Sequence, residues 1–187
     1  MRVLLGPAAS GRTTLMRRIS YETQAFGSTL ALNGTYREPA ALLTALLTAA
    51  DLAGEDLDLS EMRRLANVYL HQRLASGRRV VIAIDDADGI GNAAWNEIER
   101  LNSLTSGPER RIELLLSMVH LDDESSAVTR FVRDADAPAL HVLSWMNADD
   151  VGWYLHWRLE RFGLAGVFTP TAIHLIAKCT QGCFAAV

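Results

Sequence analysis

Apolar residues along the chain fall into two patterns. Five short stretches are continuous or nearly so: Arg2-Val3-Leu4-Leu5, Ser28-Thr29-Leu30-Ala31-Leu32-Asn33, Arg79-Val80-Val81-Ile82-Ala83-Ile84-Asp85-Asp86, Ile112-Glu113-Leu114-Leu115-Leu116-Ser117-Met118 and Leu140-His141-Val142-Leu143. Runs of this length predict strands, and the unbroken third run belongs to a strand buried on both faces. Between them the apolar positions recur at helical spacing. Leu42, Leu43, Leu46 and Leu47 mark the core stripe of a helix predicted from Glu38 to Ala50. Further helices are predicted from Gly11 to about Gln24, Ser60 to about Leu74, Asn92 to about Thr105, Asn147 to about Phe162, and Thr169 to about Thr180. Ser60 and Asn147 are the expected N-caps, Pro170 suits a first helical turn, and Gly77 ends its helix. Arg63, Arg64 and Arg73 are expected on the wet side of theirs. Asn33-Gly34 signals a turn, and Gly54 to Asp58 reads as an acidic loop.

Strands alternating with helices predict an α/β domain with a parallel sheet. The last strand ends near Ser144, so an α/β domain is expected over 1–145 and a helical segment over 146–187. Ligands on such sheets bind at the carboxyl ends of the strands. Two chemically suggestive stretches fall there.

The first is Gly6-Pro7-Ala8-Ala9-Ser10-Gly11-Arg12-Thr13-Thr14. Its spacing, G-x-x-x-x-G-basic-Ser/Thr between a strand and a helix, is that of a phosphate-binding loop. Glycines and small residues let backbone N–H groups curl inward around a phosphate, and the helix N-terminus adds its dipole. All nine residues are nucleotide-binding candidates, and the Thr13 hydroxyl stands where a Mg²⁺ ligand is needed. Arg12 occupies the usual lysine position. Guanidinium is planar and forked where ammonium is compact, so the geometry near the transferred phosphate is altered.

The second is the acidic end of the third strand. Asp85 is the candidate Mg²⁺ ligand, by the hard-oxygen preference of that ion. Asp86 stands where a nucleotide hydrolase places its general base, usually glutamate. Aspartate falls short of an attacking water by about 1 Å, and such misplacement costs on the order of 10²-fold. Asp86 and Arg12 are the catalytic candidates.

Composition adds exclusions. Of the 187 residues 49% are hydrophobic and 21% charged, which is ordinary globular chemistry rather than disorder. A formal net charge of −4 argues against nucleic acid as the dominant partner. No apolar run reaches the roughly 18 residues that a membrane span needs, so a cytoplasmic domain is expected. Cys179 and Cys183 are the two cysteines and are expected to be free, and the five histidines form no ligand spacing.

These features together resemble the AAA+ ATPases, and more narrowly those of the general secretion pathway A (ExeA) type. Beyond the phosphate loop, Gly77 to Asp88 resembles that family's strand ending in Asp-Glu-Ala-Gln. Trp157-Arg158-Leu159-Glu160 and Phe168-Thr169-Pro170 through Ile176 are similar to its small helical lid. The resemblance implies a three-layer P-loop NTPase sandwich with a five-stranded parallel sheet and part of an AAA+ lid. It also implies ATP or ADP with Mg²⁺ as cofactors, assembly as a homo-oligomer, and protein partners in a secretion or cell-envelope complex. The cytosolic part of a larger membrane-associated protein would fit.

Departures from the family lie in the same place as the resemblance. Gln181-Gly182-Cys183-Phe184-Ala185 matches a Gly-Gly-Ile-Pro-Arg stretch whose arginine reaches the γ-phosphate, so that position is Ala185. No polar sensor matches near Met118, Val119 and His120. Family members carry an adenine-packing stretch before the loop, whereas this chain starts almost at the strand; the lid is expected to be incomplete. Arg130 and Arg133 lie where AAA+ proteins offer an arginine finger, although solvated arginines balancing Asp134 and Asp136 account for them too. Trp153 and Trp157 share a helical face, read first as packing on the sheet domain and second as a partner surface. The expectation is a nucleotide-binding domain with weak or absent ATP hydrolysis. Alternatives are a competent ATPase using Arg12 and a scaffold that binds no nucleotide.

Overall fold

Val80 to Ile84 alternate between two environments, and that alternation organises the molecule. The computed structural model describes residues 1–52, 56–103, 112–121, 123, 125–135 and 138–187. Its elements are β1 (Arg2–Leu5), α1 (Arg12–Gln24), β2 (Gly27–Asn33), α2 (Pro39–Ala49), α3 (Leu59–Ala75), β3 (Arg79–Asp85), α4 (Asn92–Ser103), β4 (Ile112–Met118), α5 (Ala127–Asp134), β5 (Ala139–Val142), α6 (Ala148–Glu160) and α7 (Pro170–Thr180). The five strands pair in parallel in the order β2-β3-β4-β1-β5.

Val80, Ile82 and Ile84 enter a large core with Val3, Leu30, Leu32, Leu114 and Leu116, covered by the leucine stripe of α2 and by Leu70, Trp95, Ile98 and Val128 from α3, α4 and α5. Val81 and Ala83 face the other way, onto Leu4, Leu115 and Met16 of α1. A third, small core of Val151, Leu155 and Ala177 joins α6 to α7. This is an α/β three-layer sandwich with a five-stranded parallel sheet, and a helical pair follows it.

The strand order positions the chemistry. Only β4 separates β1, which leads into the glycine loop, from β3, which ends in the acids. Gly6 N–H donates to Met118 O at 3.1 Å, so the loop leaves the sheet beside the end of β4.

The structure departs from the sequence expectations at several points. Asp58, not Ser60, caps α3: its side chain accepts from Glu61 N–H at 2.8 Å, and the Glu61 carboxylate accepts from Asp58 N–H at 2.9 Å. A carboxylate one turn before glutamate completes a capping box, which a serine inside the first turn cannot do. The helix α5, capped by Ser126, occupies a segment for which no element is predicted. The fifth strand is present as expected, shifted by one residue to Ala139–Val142, and it forms an exposed sheet edge. Trp153 and Trp157, expected first as packing on the sheet domain, stack on each other at 6.3 Å and are 69% and 38% exposed. Thr105, Asp136 and the stretch 53–55 lie outside the described residues, so the predicted end of α4 and part of the acidic loop do too.

Arg63 is likewise not simply solvated. Together with Arg100 it holds Glu97, whose side chain is 5% exposed, and Arg100 also reaches Asn67 Oδ1 at 3.0 Å. Burial pushes the Glu97 carboxyl up, but hydrogen bonds from Arg63 and Arg100 outweigh it and hold the group below its ordinary value. A depressed folded-state pKa contributes stability that is complete above the unfolded value and is lost as pH falls through the folded one. Glu97→Gln should therefore lower unfolding stability at neutral pH by about 2 kcal/mol, the scale of a hydrogen bond to charge. Solvent access to Arg63, 41% exposed, keeps the loss from being larger. Urea titrations of both proteins should converge as pH drops below the ordinary glutamate range; a gap that stays constant contradicts the ionic account.

Candidate functional site at the ends of β1 and β3

The loop after β1 is built from backbone. Ser10 N–H closes a turn onto Pro7 O at 3.3 Å, Ala9 takes a left-handed φ of 59°, and Gly11 takes 93°. Gly11 is the N-cap of α1 and offers no side chain, so no side-chain cap occupies the first-turn amides of that helix. Leu15 N–H makes the first helical bond, to Gly11 O at 2.9 Å. Uncapped N–H groups at a positive helix end are an anion site in waiting.

The acidic end of β3 is held by β4. Asp85 accepts a short hydrogen bond from Ser117 Oγ, and the same oxygen accepts from Asp86 N–H at 3.0 Å. Asp86 then adopts a left-handed φ of 54°. Its carboxylate meets the loop helix: Arg12 Nη2 lies 3.0 Å from Asp86 Oδ1. Arg12 is 8% exposed and Asp86 58%. The other guanidinium nitrogen, Nη1, is buried and has no hydrogen-bond partner among the described residues.

Two clefts flank this arrangement. One, of about 320 Å³, is lined by Ala8, Ala9, Gly11, Arg12, Thr13, Thr14 and Asp86, and is roofed by Phe184 and Ala185. The other, of about 430 Å³, lies between α1 and the β2–β3 end and includes Thr13, Arg17, Tyr21, Asn33, Tyr36 and Asp85. Thr13 borders both. The two neighbouring aspartates therefore serve different spaces: Asp86 faces the loop cleft, and Asp85 shares the second cleft with Thr13.

The segment after α7 reaches back over the loop. Phe184 lies against Gly11, where an added Cβ would sit 3.5 Å from the ring, and it packs on Tyr154 of α6 at 5.3 Å. Trp145 Nε1 donates to Ala8 O at 3.2 Å. Met146 N–H to Gly182 O, at 3.0 Å, fixes the segment to the start of α6.

All the candidate residues thus gather at one end of the sheet. Gly6, Pro7 and Ser10 shape the bend without lining the cleft, while Ala8 to Thr14 otherwise line it. Arg12 and Asp86, the two catalytic candidates, are paired with each other. Ser117, Trp145 and Phe184 were not among the candidates. Ser117 carried a usable signal, a lone hydroxyl in an apolar strand run. Near the missing sensor, Val119 N–H donates to Asp88 Oδ2 at 3.3 Å. On α5, Arg130 donates to Ser125 O at 3.0 Å and Arg133 to Leu121 O at 2.7 Å. Cys179 and Cys183 are free, and no metal-binding cluster of His, Cys, Asp and Glu occurs among the described residues.

Residues 1–122 match the family model described as AAA domain. The chain belongs to the AAA domain family. Solved structures with the same fold include Cdc6p from Pyrobaculum aerophilum, with 18% identity and a TM-score of 0.68 over 94% of this chain and 47% of that one. The Aeropyrum pernix ORC2 protein, in ADPNP–ADP complexes, has 13% identity and a TM-score of 0.66 over 99% of this chain and 52% of that one. Drosophila ORC bound to DNA has 16% identity and a TM-score of 0.65 over 99% and 52%. This AAA domain therefore spans about half the length of those chains. No curated protein matches it in sequence. The family and the fold together make it an AAA+ ATPase-like domain of P-loop NTPase architecture. No helix among the described residues is long and apolar enough to cross a membrane.

Proposed function

We propose that this AAA domain binds ADP or ATP with Mg²⁺ through Gly6 to Thr14, and hydrolyses ATP weakly or not at all. One observation carries the reading: a nine-tenths-buried arginine with an unpartnered Nη1 lies beside an uncapped helix N-terminus. A buried, unsatisfied charged donor is costly, and a phosphate oxygen would satisfy it. The loop amides would cradle the phosphates. Thr13 and Asp85, hard oxygen donors bordering one cleft, fit Mg²⁺, which would supply charge neutralisation between phosphates.

Weak turnover follows from what surrounds Arg12. Asp86, the candidate base, is tied in an ion pair, and Ala185 brings no charge to the cleft roof. Electrostatic donors at the transferring phosphate are usually the largest catalytic contribution. Such a domain acts by nucleotide-dependent assembly, with itself and with protein partners. On the resemblance to the general secretion pathway A type, those partners belong to a cytoplasm-facing secretion or envelope complex, and the exposed Trp153–Trp157 stack offers them apolar surface. A net charge of −4 argues against extending DNA binding from Drosophila ORC to this chain.

Thermal melting with Mg-ADP and Mg-ATP tests the reading. Ligand at 100 times its dissociation constant should add about 2.7 kcal/mol of stability. No shift at millimolar nucleotide leaves only the scaffold alternative. Where a shift is seen, phosphate release separates the other two. Arg12→Lys should raise turnover, whereas a fall would make Arg12 the working residue of a competent ATPase.

A further inference from the structure

We infer that the cleft selects a nucleoside diphosphate over the corresponding triphosphate, with Asp86 and Ala185 as the residues that set the preference. The inference rests on the nucleotide reading above. Arg12 is the one cation lining the loop cleft among the described residues, and Asp86 the one acid. Half of the guanidinium fork is engaged, because Nη2 sits 3.0 Å from Asp86 Oδ1, which leaves Nη1 as the free donor. The uncapped N-terminus of α1 and that single donor together satisfy one terminal phosphoryl group.

A third phosphoryl group has no such provision. A phosphate loop holds the inner phosphates on its backbone, and the outer one lies toward the basic side chain and the acidic strand end. Here that direction leads to the Asp86 carboxylate, with its neighbouring cation already neutralised. The roof brings an alanine methyl and the Phe184 ring instead of a compensating charge. Like charges in a partly desolvated cleft repel far more than in water. A triphosphate must therefore break the Arg12–Asp86 pair or face it, whereas a diphosphate can use the pair as it stands.

Calorimetric titration of the whole chain with Mg-ADP and Mg-ADPNP, whose bridging nitrogen suppresses hydrolysis, reads the preference directly. The diphosphate should bind about tenfold more tightly, a factor equal to 1.4 kcal/mol. Asp86→Asn, nearly isosteric at a position 58% exposed, should bring the two ligands within about threefold by tightening the triphosphate. Ala185→Arg should narrow the ratio from the roof side. Diphosphate binding without discrimination, or a ratio unchanged in Asp86→Asn, overturns the inference and leaves nucleotide binding intact. Should Asp86→Asn not fold, Ala185→Arg decides by the same criterion. Failure of the unmodified chain to bind either nucleotide overturns the nucleotide reading and the inference with it.

Discussion

Gly34→Ala should cost this domain about 3 kcal/mol, the upper end of overpacking penalties, and should disable the site at the same time. A Cβ added at Gly34 would sit 1.6 Å from Asp86 O and 2.3 Å from Asp86 C, both backbone atoms. Neither is the flexible end of a side chain, so relief requires moving the chain itself. The two segments cannot simply part, because Gly34 N–H donates to Asp85 O across the ends of β2 and β3. The displacement falls on Asp85 to Ala87, which carries the Mg²⁺ candidate and the partner of Arg12. For a chain of this length the melting temperature should drop by about 6–12 °C. Nucleotide-induced stabilisation should shrink in parallel. A variant melting within about 2 °C of the parent would mean that the turn relaxes freely, contrary to the close approach of these backbones.

That close approach marks the limit of what the chain discloses on its own. Asn33-Gly34 signals a turn, but its contact with Asp86 arises only once β2 and β3 pair in register. Strands with continuous apolar runs were legible because burial on both faces leaves few polar positions to break them: β3 is buried from Val80 to Ile84, and β4, interrupted by Glu113 and Ser117, still occupies its predicted span, Ile112–Met118. The edge strand β5 was less so: Leu140 and Val142 look like core residues yet are 49% and 75% exposed. The helix α5 was missed because eight residues give just over two turns of periodicity, here Val128, Phe131 and Val132, after a stretch rich in aspartate and serine. The glycine loop was readable because its spacing follows from backbone geometry. The pairing of Arg12 with Asp86 was not, since it depends on the left-handed turn that Ser117 supports from a neighbouring strand.

Arg12→Ala should weaken nucleotide binding by about two orders of magnitude, the upper reach of charge-assisted hydrogen bonds worth 1.5–3 kcal/mol. The substitution removes the cation of the loop cleft and leaves Asp86 beside the phosphate position without a counter-ion. Both changes act against an anion and in the same direction. Folding stability without ligand should move by no more than about 1 kcal/mol, because Asp86 is 58% exposed and finds water when its partner is gone. The buried Nη1, unsatisfied in the parent, disappears as well, which offsets part of the lost ion pair. Melting curves therefore separate the roles. The ligand-free curve should stay close to that of the parent while the shift produced by Mg-ADP vanishes. If instead the ligand-free protein loses several kcal/mol and the Mg-ADP shift persists, Arg12 is a structural residue holding α1 to the end of β3. The backbone loop alone would then bind the phosphates.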